Sequence, residues 1–229
     1  MLKNNKYIIS LGGSVLAPDE INVKLLKDFC LTVKKETEKG NKFIIIVGGG
    51  GICRKYQRAA SLAGNVSDEN KDWLGIQATR LNAQLLSGVL KSYKINVLFQ
   101  ETFNSKSFGK YDVIVSGGLK PGNSTDFAAV KAAVSMKIKM VINLGKPHYV
   151  FTADPKKDKT ATPIKELTWE EYFKIIPSKW TPGLSTPFDP IASRLAKKHN
   201  ISVIVADGKN LNNFKNILQG KTYKGTTIQ

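Results

Sequence analysis

Cysteine and histidine are nearly absent from this 229-residue chain: Cys30 and Cys53 are its two thiols, His148 and His199 its two imidazoles. Neither cysteine has a CxxC or metal-type spacing, which excludes a disulfide framework and a cysteine-held metal centre. The histidines are far apart and share no helical ligand spacing, so neither a metal pair nor a catalytic triad is expected of them. No apolar stretch approaches the roughly 20 residues that span a bilayer, and "MLKNNKYIIS" enters a short strand without the apolar region of a secretion signal. Acidic residues are also scarce, 18 against 35 Lys and Arg, a formal charge of +17. That excess attracts phosphates, nucleic acid or acidic membranes without choosing among them. The lysines are spread along the chain rather than massed in a tail, as on a solvated surface. A globular protein of a reducing cytoplasm is expected, neither secreted nor inserted in a membrane.

What is present is a succession of short runs that are apolar throughout: "YIISL" at Tyr7, "FIIIV" at Phe43, "VLF" at Val97, "VIV" at Val113, "MVINL" at Met140 and "VIVA" at Val203. Runs of this kind, rather than alternating ones, mark parallel strands covered on both faces. Between the first two, Leu26, Phe29, Cys30, Val33 and Thr37 follow helical spacing, and Gly40 closes that helix. A second helix is expected from about Ile76 to Tyr93 with Leu81, Leu85 and Val89 on one face, and another opens near Thr125. "TWEE" at Thr168 to Glu171 is a capping box before a short helix to about Ile176. Pro177 to Pro190 reads as a loop leading to a helix from about Ile191 to His199. The pattern is βαβα, and the fold class is α/β: a three-layer αβα sandwich around a central, mainly parallel sheet. No linker or repeat divides residues 1–229, and a weak boundary falls between Leu144 and Lys165.

Three glycine clusters follow three of these strands: Gly12, Gly13 and Ser14; Gly48 to Gly51 with Arg54; and Gly117, Gly118 and Gly122 with Asp126. In an open parallel sheet the loops leaving the strands' carboxyl ends gather on one edge, where ligands bind. Bare amides there, with the positive ends of following helices, suit anions. The four-glycine run serves either a tight turn or a close approach of backbone to something bulky. Single-motif tests fail: Gly117, Gly122, Asn123 and Ser124 match a P-loop except that Asn123 stands where its lysine belongs, and "GGGGICR" lacks the third glycine of GxGxxG.

Taken together, "GGSVL" at Gly12, "VGGG" with "RKY" at Arg54, "GIQATRLNAQLL" from Gly75, "GGLKPGNSTDFAA" from Gly117, "TADPKKD" from Thr152, "FDPIASRLA" from Phe188, "VIVADG" from Val203 and "GTTI" at Gly225 resemble the amino acid kinase superfamily. The resemblance is strongest to its archaeal-type UMP kinase branch and covers nearly the whole chain in order. It implies a kinase that moves the γ-phosphoryl group of ATP to UMP with Mg²⁺, in pyrimidine biosynthesis, assembled as a homo-oligomer, usually a hexamer. An N-terminal lobe of about 1–144 would bind UMP and a C-terminal lobe of about 145–229 would bind ATP. By position, Gly13, Ser14, Gly50 and Arg54 would attend the transferring phosphates. Gly49, Asp72 and the stretch Lys120, Pro121, Gly122, Asn123, Ser124 and Thr125 would hold UMP, with Asp72 on the ribose hydroxyls. Phe151 and Asp154 would face ATP, and no side chain is assigned as a metal ligand.

The chain departs from that branch at the donor segment: relatives carry a "TNVDGVYTADP"-like stretch where this one reads "LGKPHYVFTADP". Lys146 there is a candidate catalytic cation; the alternative is a surface lysine in a rebuilt loop. Many superfamily members also place a lysine two residues before the first glycine pair, where this chain has Ser10. Arg54, Lys120, Lys146 and Lys156 are the candidates to replace its charge. Asp126 and Asp189 fit helix starts, with magnesium binding or lysine positioning as alternatives. Trp73 beside Asp72 reads as packing, with base stacking as the alternative. Competing functions are an isopentenyl phosphate or acetylglutamate kinase, and a non-catalytic nucleotide- or RNA-binding protein. The first uses a histidine near the second glycine loop, absent here; the second lacks the "GIxxTRxNAxLL" element; the third has no nucleic-acid module motif to support it.

Overall fold

A computed structural model describes residues 5–101, 105–155, 157–178 and 186–229. Strand β1 (Lys6–Leu11) leads through a single helical turn, α1 (Gly13–Leu16), to α2 (Val23–Thr37) and β2 (Lys42–Val47). Then come α3 (Gly50–Ala63), α4 (Asp68–Ser92), β3 (Val97–Phe99), α5 (Ser105–Lys110), β4 (Val113–Ser116), α6 (Thr125–Met136) and β5 (Met140–Gly145). Three two-residue strands follow, β6 (Val150–Phe151), β7 (Pro163–Ile164) and β8 (Glu166–Leu167). The chain closes with α7 (Trp169–Ile175), α8 (Pro190–Lys198), β9 (Ser202–Asp207), α9 (Leu211–Leu218) and β10 (Thr226–Ile228).

One eight-stranded sheet runs in the order β3-β4-β2-β1-β5-β9-β10-β8. Its pairings are parallel except β10 on β9, and β6 and β7 form a separate antiparallel hairpin. The central register sets Ile9 between Ile45 and Ile142. Because side chains alternate along a strand, each apolar run serves both faces at once. On one face Ile9, Phe43, Ile45, Val115 and Ile142 meet Phe29 and Val33 of α2, Leu86 and Leu90 of α4 and Phe214 of α9. On the other, Ile8, Ile44, Ile46 and Val141 meet Ala128, Ala129 and Ala132 of α6, Tyr172 of α7 and Ala192 of α8. The three-layer αβα sandwich is therefore present, and all six apolar runs are strands.

Helix ends follow local chemistry. Asn22 caps α2 by accepting from the Leu25 N–H, Gly40 turns the chain with a φ of +86°, and Thr168 and Glu171 form the reciprocal capping box of α7. The longest helix departs from the sequence reading. Helix α4 begins at Asp68, capped by Ser67, and its inward stripe is Thr79, Asn82, Ala83, Leu86 and Leu90. Leu81 points outward at 64% exposure; Leu85 and Val89 are only partly buried. The stripe lies one residue further along than an aliphatic-only reading puts it, because two polar residues at its start face the sheet edge.

The four-glycine run is explained by the loop beside it. A Cβ on Gly50 would stand 2.3 Å from the Ala17 carbonyl oxygen, and Gly50 has a φ of +67°. A Cβ on Gly51 would lie 2.0 Å from the Pro18 oxygen, and one on Gly48 2.4 Å from the Gly13 nitrogen. The bulky object against these glycines is the backbone that follows β1, so they are structural whatever else they do. Gly50→Ala should cost about 3 kcal/mol through strain and displaced backbone. Gly88→Ala, at an exposed site inside α4 with nothing within 4 Å of the added carbon, should raise stability by about 0.5–1 kcal/mol. Urea denaturation of both variants checks the pair, and equal shifts would contradict it.

Candidate active site

Strands β1, β2, β4, β5 and β9 run parallel, so their carboxyl ends share one edge and the glycine loops converge there. The Gly12 N–H donates to Leu144 O at 2.8 Å, Gly48 N–H to Leu11 O at 2.9 Å, Gly51 N–H to Ala17 O at 2.8 Å and Gly208 N–H to Gly145 O at 3.3 Å. Among the described residues, the N–H groups of Gly13, Ser14, Gly49 and Gly50 have no protein acceptor. Gly13 and Gly50 sit back to back: a Cβ on Gly13 would be 2.0 Å from the Gly50 nitrogen. Orphan donors at two adjoining helix starts are the chemistry that phosphate oxygens satisfy.

Helix α4 fastens two of the three loops. Asn82 Nδ2 donates to the carbonyls of Gly48 at 2.9 Å and Gly49 at 3.1 Å. Thr79 Oγ1 accepts from Gly118 N–H at 2.7 Å and donates to Ile76 O at 2.6 Å. Arg80 pairs with Glu101 at 3.1 Å. Sequence reasoning did not assign roles to Thr79 and Asn82. The available signal was two polar residues three apart on an apolar stripe, which places both on one helical face.

Behind the ridge lies an acidic centre. Ser10 Oγ donates to Asp126 Oδ1 at 2.8 Å, and Asp189 N–H donates to Asp126 Oδ2 at 3.2 Å. Asp189 caps α8, accepting from Ala192 N–H at 2.6 Å, so its reading as a helix cap holds. Asp126 occupies the first turn of α6 after the cap Ser124. Burial pushes the Asp126 carboxyl up to about 6; the Ser10 hydroxyl opposes the rise and the Asp189 carboxylate adds to it. Burial also raises Asp189. Asn143 on β5 donates to Pro187 O at 2.8 Å. Thus Ser10, standing where a lysine was considered, joins an acidic residue instead of carrying charge.

Two of the stretches expected to hold UMP meet: Asp72 Oδ2 accepts from Gly122 N–H at 2.9 Å. Within the second stretch Asn123 Nδ2 donates to Pro121 O at 3.2 Å, and Ser124 Oγ accepts from Phe127 N–H at 3.1 Å, with Thr125 opening α6. Lys120 is exposed, and Trp73 is 39% exposed rather than packed away. On the other side Lys146 is exposed directly after β5, next to Gly145, whose Cα would be 3.2 Å from a Cβ on Gly12. Phe151 lies on the β6–β7 hairpin, joined to Tyr149 by an edge contact with ring centroids 6.3 Å apart. The Asp154 carbonyl accepts from the N–H groups of Lys157 and Asp158, each at 2.9 Å. Arg54 is on α3, its guanidinium donating to Pro18 O at 3.2 Å, so it is held to the loop after α1. Lys156 lies outside the described residues.

A model of the amino acid kinase family matches residues 5–207. The chain belongs to the amino acid kinase family. Its relatives include the uridylate kinase of Thermoplasma volcanium, 33% identical over 99% of this chain and 98% of that protein. The uridylate kinase of Methanocorpusculum labreanum is 32% identical over 97% and 95%. The crystal structure of uridylate kinase from Archaeoglobus fulgidus has a TM-score of 0.82 at 28% identity, covering 98% of this chain and 100% of that one. UMP kinase from Bacillus anthracis shares the fold, with a TM-score of 0.80, 22% identity and coverage of 98% and 96%.

The acidic centre of this family member has a pH signature. Asp126 starts from 3.8 when unfolded and holds its proton to about 6 when folded. Its stabilising contribution is therefore complete below pH about 4 and is lost as pH rises through 6. Relative to the parent, Asp126→Asn should lose less stability between pH 4 and pH 7, by roughly 1–3 kcal/mol at about 1.4 kcal/mol per pKa unit. Denaturant titrations at both pH values measure it, and parallel pH slopes would contradict the assignment.

Proposed function

We propose that the chain is a UMP kinase that moves the γ-phosphoryl group of ATP to UMP, giving UDP in pyrimidine nucleotide synthesis. One observation carries this reading: in a chain whose full-length relatives are uridylate kinases, the N–H groups of Gly13, Ser14, Gly49 and Gly50 stand without acceptors where β1 and β2 end. Phosphoryl transfer asks little covalent chemistry of a protein; it asks for two anions held in line while donors and cations take up charge on the transferring oxygens. Gly13, Ser14 and Gly50 bind those oxygens, and Lys146, next to Gly145, brings an ammonium group to the donor side. Arg54 adds charge at the Pro18 loop. On the acceptor side, Asp72 takes the ribose hydroxyls with the carboxyl that Gly122 orients. Gly49 and the stretch Lys120, Pro121, Gly122, Asn123, Ser124 and Thr125 complete the UMP pocket, while Phe151 and Asp154 line that of ATP.

The acceptor lobe is 1–144 and the donor lobe 145–229, built on one continuous sheet. Among the described residues no three His, Cys, Asp or Glu side chains form a cation site. Mg²⁺ would come as an ion carried by the nucleotide phosphates, which supply oxygen ligands to it. The charge of +17 favours capture of two nucleotides. No helix of the described residues is long and apolar enough to cross a membrane, consistent with a cytoplasmic enzyme. Assembly as a homo-oligomer, a hexamer, draws support from a cleft of about 530 Å³ on α3 and α4, lined by Ile52, Tyr56, Leu74 and Leu81. Tyr56 is 57% exposed there. Apolar side chains rimmed by Gln77, Arg80, Gln84 and Glu101 suit a contact between subunits.

A coupled assay offering UMP, CMP, AMP and GMP with ATP or GTP should show turnover with UMP and ATP above all other pairs; equal use of CMP would refute the acceptor assignment. Asp72→Ala should raise the KM for UMP at least tenfold with little change in that for ATP, and Lys146→Ala should lower kcat tenfold or more. Unchanged constants in both variants would place the pocket elsewhere. Light scattering of Leu81→Glu should give a smaller species than the parent, and an identical mass would remove α4 from the subunit contact.

A further inference from the structure

A second cleft, of about 690 Å³, opens between α2 and the turn from β9 into α9. Its walls carry four ammonium groups, Lys24, Lys35, Lys209 and Lys215, against two carboxylates, Asp28 and Asp207. Both carboxylates are already engaged. Lys24 pairs with Asp28 at 3.0 Å, and Asp207 Oδ1 accepts from Lys209 N–H at 2.9 Å. Among the described residues, Lys35, Lys209 and Lys215 have no carboxylate within ion-pair distance. Four ammonium groups against two carboxylates leave a net charge of +2 around a concave space, a positive potential that one compact anion can neutralise, and the volume is that of a nucleotide-sized ligand. The starts of α2 and α9 add to the same sign, since Asn22 and Asn210, their caps, line the cleft.

The nucleotide-transfer chemistry proposed above does not use this cleft, yet the cleft adjoins the ridge. Asp207 pairs with Gly145 in the sheet register, and Gly208 N–H donates to Gly145 O at 3.3 Å. A Cβ on Gly208 would stand 2.7 Å from the Val15 side chain, which leaves the turn no slack toward α1. The turn bearing Lys209 is thus bonded to the residue preceding Lys146.

We propose that the α2–α9 cleft is a binding site for a small phosphoanion with two or more negative charges, held by Lys35, Lys209 and Lys215, and that its occupancy acts on the donor loop through Gly208 and Gly145. A nucleoside triphosphate and free polyphosphate present the same chemistry. A nucleic-acid strand is the disfavoured occupant, because the cleft is bounded by two helices rather than continued as a groove.

The test is calorimetric titration of the full chain with inorganic tripolyphosphate in 150 mM KCl, where diffuse surface attraction is screened beyond about 8 Å. The parent should bind at the cleft in addition to the ridge. Lys35→Glu/Lys215→Glu should weaken the cleft component at least tenfold, whereas Lys35→Arg/Lys215→Arg should retain it. Lys146→Ala, which touches the ridge alone, should also retain it. Displacement of tripolyphosphate by UTP identifies a nucleotide as the source, and resistance to UTP identifies free polyphosphate. Tripolyphosphate competes with ATP at the ridge in both proteins, so the KM for ATP rises in each; the rise in the parent should differ at least twofold from that in the charge-reversed variant, whose circular dichroism should match the parent's. Equal affinity in parent and charge-reversed variant would overturn the site, as would a single-stranded oligonucleotide displacing tripolyphosphate from the cleft more readily than UTP does. Kinase turnover is measured separately, so failure here leaves the reading of the ridge untouched.

Discussion

Close contact between two loop backbones organises this molecule. The turn after β1 and the four glycines after β2 approach so nearly that a single added carbon at Gly13, Gly48, Gly50 or Gly51 would collide with main-chain atoms. The contact leaves four N–H donors unsatisfied in one place. Unpaired backbone donors are costly when water is kept away, so such an arrangement persists where an anion or solvent completes it. Flexibility is not what the glycines contribute in the folded chain. Their lack of a side chain lets two helix starts share a few ångströms of space.

Helix α4 keeps that contact from springing open. Asn82 holds the carbonyls of Gly48 and Gly49 while Thr79 holds Gly118, so one helix fastens both the glycine loop after β2 and the glycine loop after β4. A third clasp, Ser10 with Asp126 and Asp189, joins β1 to α6 and α8 from the opposite layer. The ridge is thereby braced from both faces of the sheet, and precise placement of catalytic groups requires such bracing.

The fold was legible because uniformly apolar runs such as "FIIIV" have no other economical explanation than strands covered on both faces. The two faces are visible afterwards in the opposite burial partners of Ile44 and Ile45. Short elements escaped notice: β6, β7 and β8 have two residues each, too few for any periodicity to register. The inward face of α4 was misjudged through weighing aliphatic residues alone, whereas Thr79 and Asn82 face inward to serve backbone groups of distant loops. Hydrogen bonds between residues more than thirty positions apart, such as Asn82 to Gly48, leave no periodic trace in a sequence. The convergence of the glycine clusters was legible from strand direction; the purpose of the four-glycine run was not, since its partner is another piece of the same chain.

The sheet order also bears on how the chain is made. Strand β1 lies between β2 and β5, and β5 begins about 130 residues after β1 ends. During synthesis the first strand therefore waits, paired on one side only, until more than half of the polypeptide has emerged. Parallel pairings across such separations form slowly because loop closure precedes the reward of contact. The nascent first half presents a bare, isoleucine-rich strand edge in that interval, the kind of surface that chaperones shield.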